Sequence, residues 1–126
     1  MPDTKLIYII DDDTLLLEIY ALKFKEYGLP VEVIPDATIA LEKLRAGVRP
    51  DLIMVDIIMP KMSGFDFLEA LRREKLAEGT KLVVLTNQSQ ADEVARAEQL
   101  GVKEYIIKSS AIPSEVCEKV RALCTP

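Results

Sequence analysis

Leu6–Leu17 reads LIYIIDDDTLLL. Five apolar residues run into three consecutive aspartates, and a second apolar run starts one residue after them. A short, continuously apolar run suits a strand buried on both faces, as in a parallel sheet covered by helices. The second run has another period. Thr14–Tyr27 places Leu16, Ile19, Tyr20, Phe24 and Tyr27 at helical spacing, and Gly28 and Pro30 stop it. The stretch is therefore strand, acidic turn, helix, with Lys5–Ile10 as the strand.

The same unit recurs along the chain. Val31–Ile34 is a short strand, followed by a helix marked by Ala37, Ala40, Leu41 and Leu44 and ended by Gly47 and Pro50. Leu52–Val55 is a solid apolar strand. The turn-rich MPKMSG leads from it to a helix with Phe67, Leu68 and Leu71 inward. Lys81–Leu85 is a fourth strand, and Ala91, Val94, Ala95 and Leu100 mark a fourth helix closed by Gly101. Tyr105–Ile107 is the fifth strand. Pro113 suits the first turn of a last helix with Val116, Val120 and Leu123 inward. Five β-α units in strict alternation predict an α/β fold with a parallel sheet. With 126 residues, the chain reads as one domain over residues 1–126 with no output domain attached.

Composition excludes several function classes. Nearly half of the residues are hydrophobic, against disorder, and the net charge of −5 argues against direct contact with nucleic acid or an anionic membrane. No apolar run approaches the ~20 residues of a membrane span, and the N-terminus lacks the layout of a secretory signal. There is no histidine, which removes His-based metal sites and His general bases, and no phosphate-binding glycine motif. Cys117 and Cys124 are seven residues apart on a helix, roughly 10 Å, beyond the ~7 Å reach of a disulfide. Reduced thiols fit a cytoplasmic protein.

Ligands of open α/β sheets bind at the carboxyl ends of the strands. There the sequence sets Asp11, Asp12 and Asp13 after the first strand, Asp56 after the third, Thr86 after the fourth and Lys108 after the fifth. Asp13 reads as a helix N-cap. Any one of the others alone would read as local capping or surface charge. Together they put acids, a hydroxyl and an amine on one rim. Two carboxylates at ~4 Å repel by roughly 4 kcal/mol at an effective dielectric of 20, so such a cluster calls for a cation.

These pieces, IIDDD, LIMVDIIMPKMSG, VVLT and YIIK in this order and spacing, closely resemble a response-regulator receiver domain of two-component signalling. The resemblance covers essentially the whole chain. It implies a doubly wound, flavodoxin-like (βα)5 domain with a five-stranded sheet of order 2-1-3-4-5. It also implies a phosphorylation-activated switch. Asp56 is the phosphoacceptor, assisted by Lys108 and Thr86. Mg2+, or Mn2+ in its place, is held by Asp12 and Asp56 directly, by Asp11 mainly through water, and by the backbone carbonyl of Ile58. Thr86 and Tyr105 form the switch that alters the face made by the fourth helix, fifth strand and fifth helix. The implied partners are a sensor histidine kinase or phosphotransfer protein and a downstream protein target, with the chain a monomer or weak dimer. It would be no enzyme beyond its own phosphorylation and dephosphorylation.

The sequence departs from the family pattern at Ser109 and Asn87, and Ile58 and Gln88 bear on dephosphorylation. Ser109 follows Lys108 where the family has proline after a cis bond. A cis non-proline peptide costs ~2.5–4 kcal/mol, so a trans Lys108–Ser109 peptide is expected. Asn87 follows Thr86 where Ala or Gly is usual, and should narrow access to Asp56. Ile58 is apolar and Gln88 cannot act as a base, so slow self-dephosphorylation is expected. Two other readings compete. One is a pseudo-receiver interaction module that is never phosphorylated. The other is a haloacid-dehalogenase-like phosphatase, whose Asp-x-Asp-x-Thr/Val motif is broken here by Leu15.

Overall fold

The computed structural model describes residues 5–124. Its strands are β1 (Ile7–Ile10), β2 (Val31–Ile34), β3 (Leu52–Val55), β4 (Lys81–Thr86) and β5 (Val102–Ile107). Its helices are α1 (Thr14–Glu26), α2 (Ala37–Arg45), α3 (Gly64–Arg73), α4 (Ala91–Gln99) and α5 (Pro113–Cys124), with a 3-10 turn at Lys108–Ser110. The strands form one sheet in the order β2-β1-β3-β4-β5, every pair parallel.

Strand alternation splits the core in two. Tyr8, Ile10, Ile53, Val55 and Val84 pack under α2, α3 and α4, with Leu41, Phe67 and Ala97. Ile7, Ile9, Met54, Val83 and Leu85 pack under α1 and α5, with Phe24, Val116 and Val120. Because side chains alternate across a strand, two helical layers demand apolar residues at every position. That is why β1 and β3 read as unbroken apolar runs.

The structure refines three sequence expectations. Ile19 shares the helical spacing of Tyr20 and Phe24 but is 43% exposed; the buried residues of α1 are Leu17, Tyr20 and Phe24. A helix turns about 100° per residue, so Ile19 sits off that stripe. On α4, Ala91 and Ala95 are exposed, and Ala97 is the residue that meets the core. β5 starts at Val102, three residues before Tyr105. It is an edge strand, where polar Lys103 and Glu104 are tolerated and mask the pattern.

Cys117 carries a free thiol in the α5 core, and burial pushes its pKa up to about 11. Only about one molecule in a thousand is a thiolate at pH 8. Iodoacetamide at that pH should therefore leave the Cys117 peptide unmodified in native protein and alkylate it fully in guanidinium, as read by peptide mass spectrometry. Rapid native labelling would contradict this packing.

Candidate functional site

The sheet ladder carries the first polar residues into place. The N–H of Asp11 donates to Ile34 O and that of Asp56 to Ile10 O, both at 3.1 Å. Asp11 and Asp56 thus stand side by side one step beyond the last apolar pair, Ile10 and Val55. Both are buried, at 2% and 7% exposure. The Asp13 N–H donates to Asp11 Oδ1 at 3.0 Å, and Asp13 in turn caps α1 by accepting from Leu16 N at 3.1 Å. Asp13 is the N-cap that the sequence suggested. Asp12 faces outward, yet one oxygen from each of Asp11, Asp12 and Asp56 lies within 4.8 Å of the others.

Lys108 closes the group from β5. Its Nζ lies 2.6 Å from Asp11 Oδ2 and 2.9 Å from Asp56 Oδ2. Burial pushes the Asp11 carboxyl above the ordinary carboxylate range, and the hydrogen bonds from Lys108 and the Asp13 N–H only partly offset that. Burial also works to lower the Lys108 pKa, but the bonds to Asp11 and Asp56 together outweigh it and hold the amine above its usual value. One ammonium against three carboxylates leaves a formal excess of two negative charges. The donors are all hard oxygens, so the set fits a divalent cation such as Mg2+.

The backbone after Asp56 is tightly held. Gly64, the first residue of α3, donates its N–H to Ile57 O at 2.8 Å, and a Cβ there would lie 2.2 Å from Asp56 O. The glycine of MPKMSG is thus a contact point between helix and acid-bearing loop. Ile58 N approaches Asp56 Oδ1 at 3.4 Å, and its side chain is 58% exposed beside the cluster.

Thr86, at the end of β4, and Tyr105, on β5, are linked through one backbone. Gln88 N donates to Thr86 Oγ1 at 3.3 Å, and the Tyr105 hydroxyl donates to Gln88 O at 2.7 Å. The Tyr105 ring packs on the α2–α4 core. Burial first, then Glu93 and Asp56, raise its pKa. The sequence singled out both ends of this link and considered Gln88 only for its side chain, because a backbone relay leaves no side-chain signature. No peptide among the described residues is cis, so Lys108–Ser109 is trans as expected. The Asn87 side chain is turned toward that peptide: its Oδ1 accepts from Ser109 N at 3.0 Å.

The family model for the response regulator receiver domain matches residues 7–121. The chain belongs to the response regulator receiver family. It is 34% identical to the DNA-binding response regulator MtrA of Mycolicibacterium paratuberculosis over 92% of this chain and 49% of that protein. It is 30% identical to the DNA-binding dual master transcriptional regulator RpaA of Synechocystis over 93% of this chain and 48% of the relative. The chain spans about half the length of these relatives. A CheY-like receiver domain from Methanospirillum hungatei superposes with a TM-score of 0.86 at 26% identity, covering 97% of this chain and 94% of that one. The chemotaxis protein CheY4 of Vibrio cholerae has the same fold, with a TM-score of 0.85, 22% identity and coverage of 96% and 99%. Receiver domains are signalling switches, generally not enzymes, that interact with histidine kinases and downstream targets and bind Mg2+ at an acidic pocket. No helix among the described residues is long and apolar enough to cross a membrane.

Proposed function

We propose that this receiver domain is switched by transfer of a phosphoryl group to Asp56. The observation that carries the reading is the paired contact of Lys108 Nζ with Asp11 and Asp56 on the rim. An Asp56 carboxylate oxygen attacks phosphorus, a P–O bond forms, and the P–N bond of a partner's phosphohistidine breaks, with the imidazole leaving. Lys108 gives up part of its contact with Asp56 and meets the new phosphoryl oxygens. Thr86 Oγ1, already buried at the rim, donates to one of them. Asp12 and Asp56, Asp11 through water and the Ile58 carbonyl would hold Mg2+, which when bound offsets the charge that gathers on the phosphoryl group.

Charge-assisted hydrogen bonds contribute ~1.5–3 kcal/mol each, so two approach the ~5.5 kcal/mol of a full population reversal. Movement of Thr86 toward phosphate breaks its contact with Gln88 and with it the seat of the Tyr105 hydroxyl. The face of α4, β5 and α5 then changes for a downstream target. Leu15, Ile19 and Leu22 form an exposed apolar stripe on α1 that starts beside the acids. It supports docking of a helical phosphodonor there.

Incubation with acetyl phosphate and Mg2+ should add a single ~80 Da to the intact mass, absent in Asp56→Asn and slow to decay once donor is removed. An unmodified wild-type protein would mean an interaction module instead.

A further inference from the structure

The two departures at the rim, Asn87 and Ser109, are joined to each other, and we infer that Asn87 is a positioning residue for Lys108. This rests on the phosphoryl-transfer reading of Asp56. The β4–β5 ladder ends at the pair Thr86 and Ile107. Past that pair the two chains part, Asn87 toward α4 and Lys108 into its 3-10 turn. The turn has no side-chain cap of its own, so its leading N–H groups need an outside acceptor or water. Asn87 Oδ1 supplies one, accepting from Ser109 N at 3.0 Å.

The bond joins the residue one past Thr86 to the residue two past Ile107 and clamps the residue next to Lys108. A lysine stem is flexible and strongly hydrated at its tip. Holding Nζ at 2.6 Å and 2.9 Å from two carboxylates therefore depends on where its backbone starts. A proline at position 109 would have no N–H to donate. Serine keeps the donor, and asparagine at 87 provides the acceptor. An alanine or glycine at 87 could not. The Asn87 side chain thus orders the lysine that meets the phosphoryl group.

The test is a set of mutant cycles read by the acetyl phosphate phosphorylation rate and by Ser109 amide exchange. Asn87→Ala should slow phosphorylation about three- to tenfold, the span of one neutral hydrogen bond, and speed exchange at Ser109. Ser109→Ala, which keeps the N–H, should match wild type. Ser109→Pro should slow the reaction, and Asn87→Ala should add nothing in that background. In a Lys108→Met background, Asn87→Ala should leave the residual rate unchanged, which a merely structural role would not produce. Independent effects of Asn87→Ala and Ser109→Pro, or faster phosphorylation in Asn87→Ala, would overturn the inference. A wild-type protein that takes no phosphate would sink the Asp56 reading alone. Unchanged Ser109 exchange in Asn87→Ala would still reject the clamp.

Discussion

Replacing Lys108 with methionine is expected to lower the stability of the metal-free protein by about 3 kcal/mol and to slow phosphorylation on the order of a hundredfold. Methionine keeps much of the stem's apolar volume, so the loss isolates the ammonium. Without it, Asp11 and Asp56 remain buried next to one another with no cation between them. Breaking a buried pair from one side is costly because the surviving charge loses its partner but stays out of water. Here two charges survive.

Without the lysine, the Asp11 carboxyl, already pushed up by burial, would favour the protonated state more strongly, so the deficit should shrink as the pH falls toward the carboxylate range and grow as it rises. Saturating Mg2+ should recover part of the stability, since a divalent ion can take the place of the lost charge. Urea unfolding in EDTA and in Mg2+, at two pH values, measures all of this. A Lys108→Met protein as stable as wild type in EDTA would show that the acids are not held together as tightly as these distances require.

The rim was legible in the sequence because each of its members ends an apolar run. Asp11, Asp56 and Thr86 are polar residues at the point where a strand buried on both faces must stop, Lys108 ends the apolar Tyr105–Ile107 run, and the register brings Asp11 and Asp56 level. The same logic fails where burial is one-sided. Apolar spacing alone groups Ile19 with Tyr20 and Phe24, because Leu15, Ile19 and Leu22 form a second apolar stripe on the outer side of the same helix. It missed the start of β5, because an edge strand accepts Lys103 and Glu104. The contacts that tune the site were the least legible. The Asn87 bond to Ser109 and the Tyr105 bond to Gln88 both end on backbone atoms. Any residue type presents those, so no pattern of side chains announces them.

Gly64→Ala pits two effects of opposite sign against each other. By helix propensity alone, alanine at an α3 position should stabilise by up to ~1 kcal/mol. The local geometry says otherwise. The new Cβ would sit 2.2 Å from Asp56 O and 2.8 Å from Ile57 Cα, both backbone atoms of the loop that carries the phosphoacceptor. No rotamer relieves such a contact; either α3 or the loop must move. Overpacking of this kind costs roughly 1–3 kcal/mol, occasionally more, and a clash with backbone belongs at the upper end. The expected net is a loss of about 2 kcal/mol or more, seen as a lower urea midpoint.

The displacement has a second consequence. The Gly64 N–H holds Ile57 O at 2.8 Å, so moving α3 also moves the chain on either side of Asp56. The carboxylate then leaves its position 2.9 Å from Lys108 Nζ, and Asp12 and Asp11 lose their common focus with it. Phosphorylation should therefore fall by at least tenfold, and Mg2+ should bind more weakly, even at temperatures where the variant is fully folded. A Gly64→Ala protein with wild-type stability and unchanged Mg2+ affinity would mean that the loop after Asp56 is free to give way, and that the glycine is not what seats α3 against the acid.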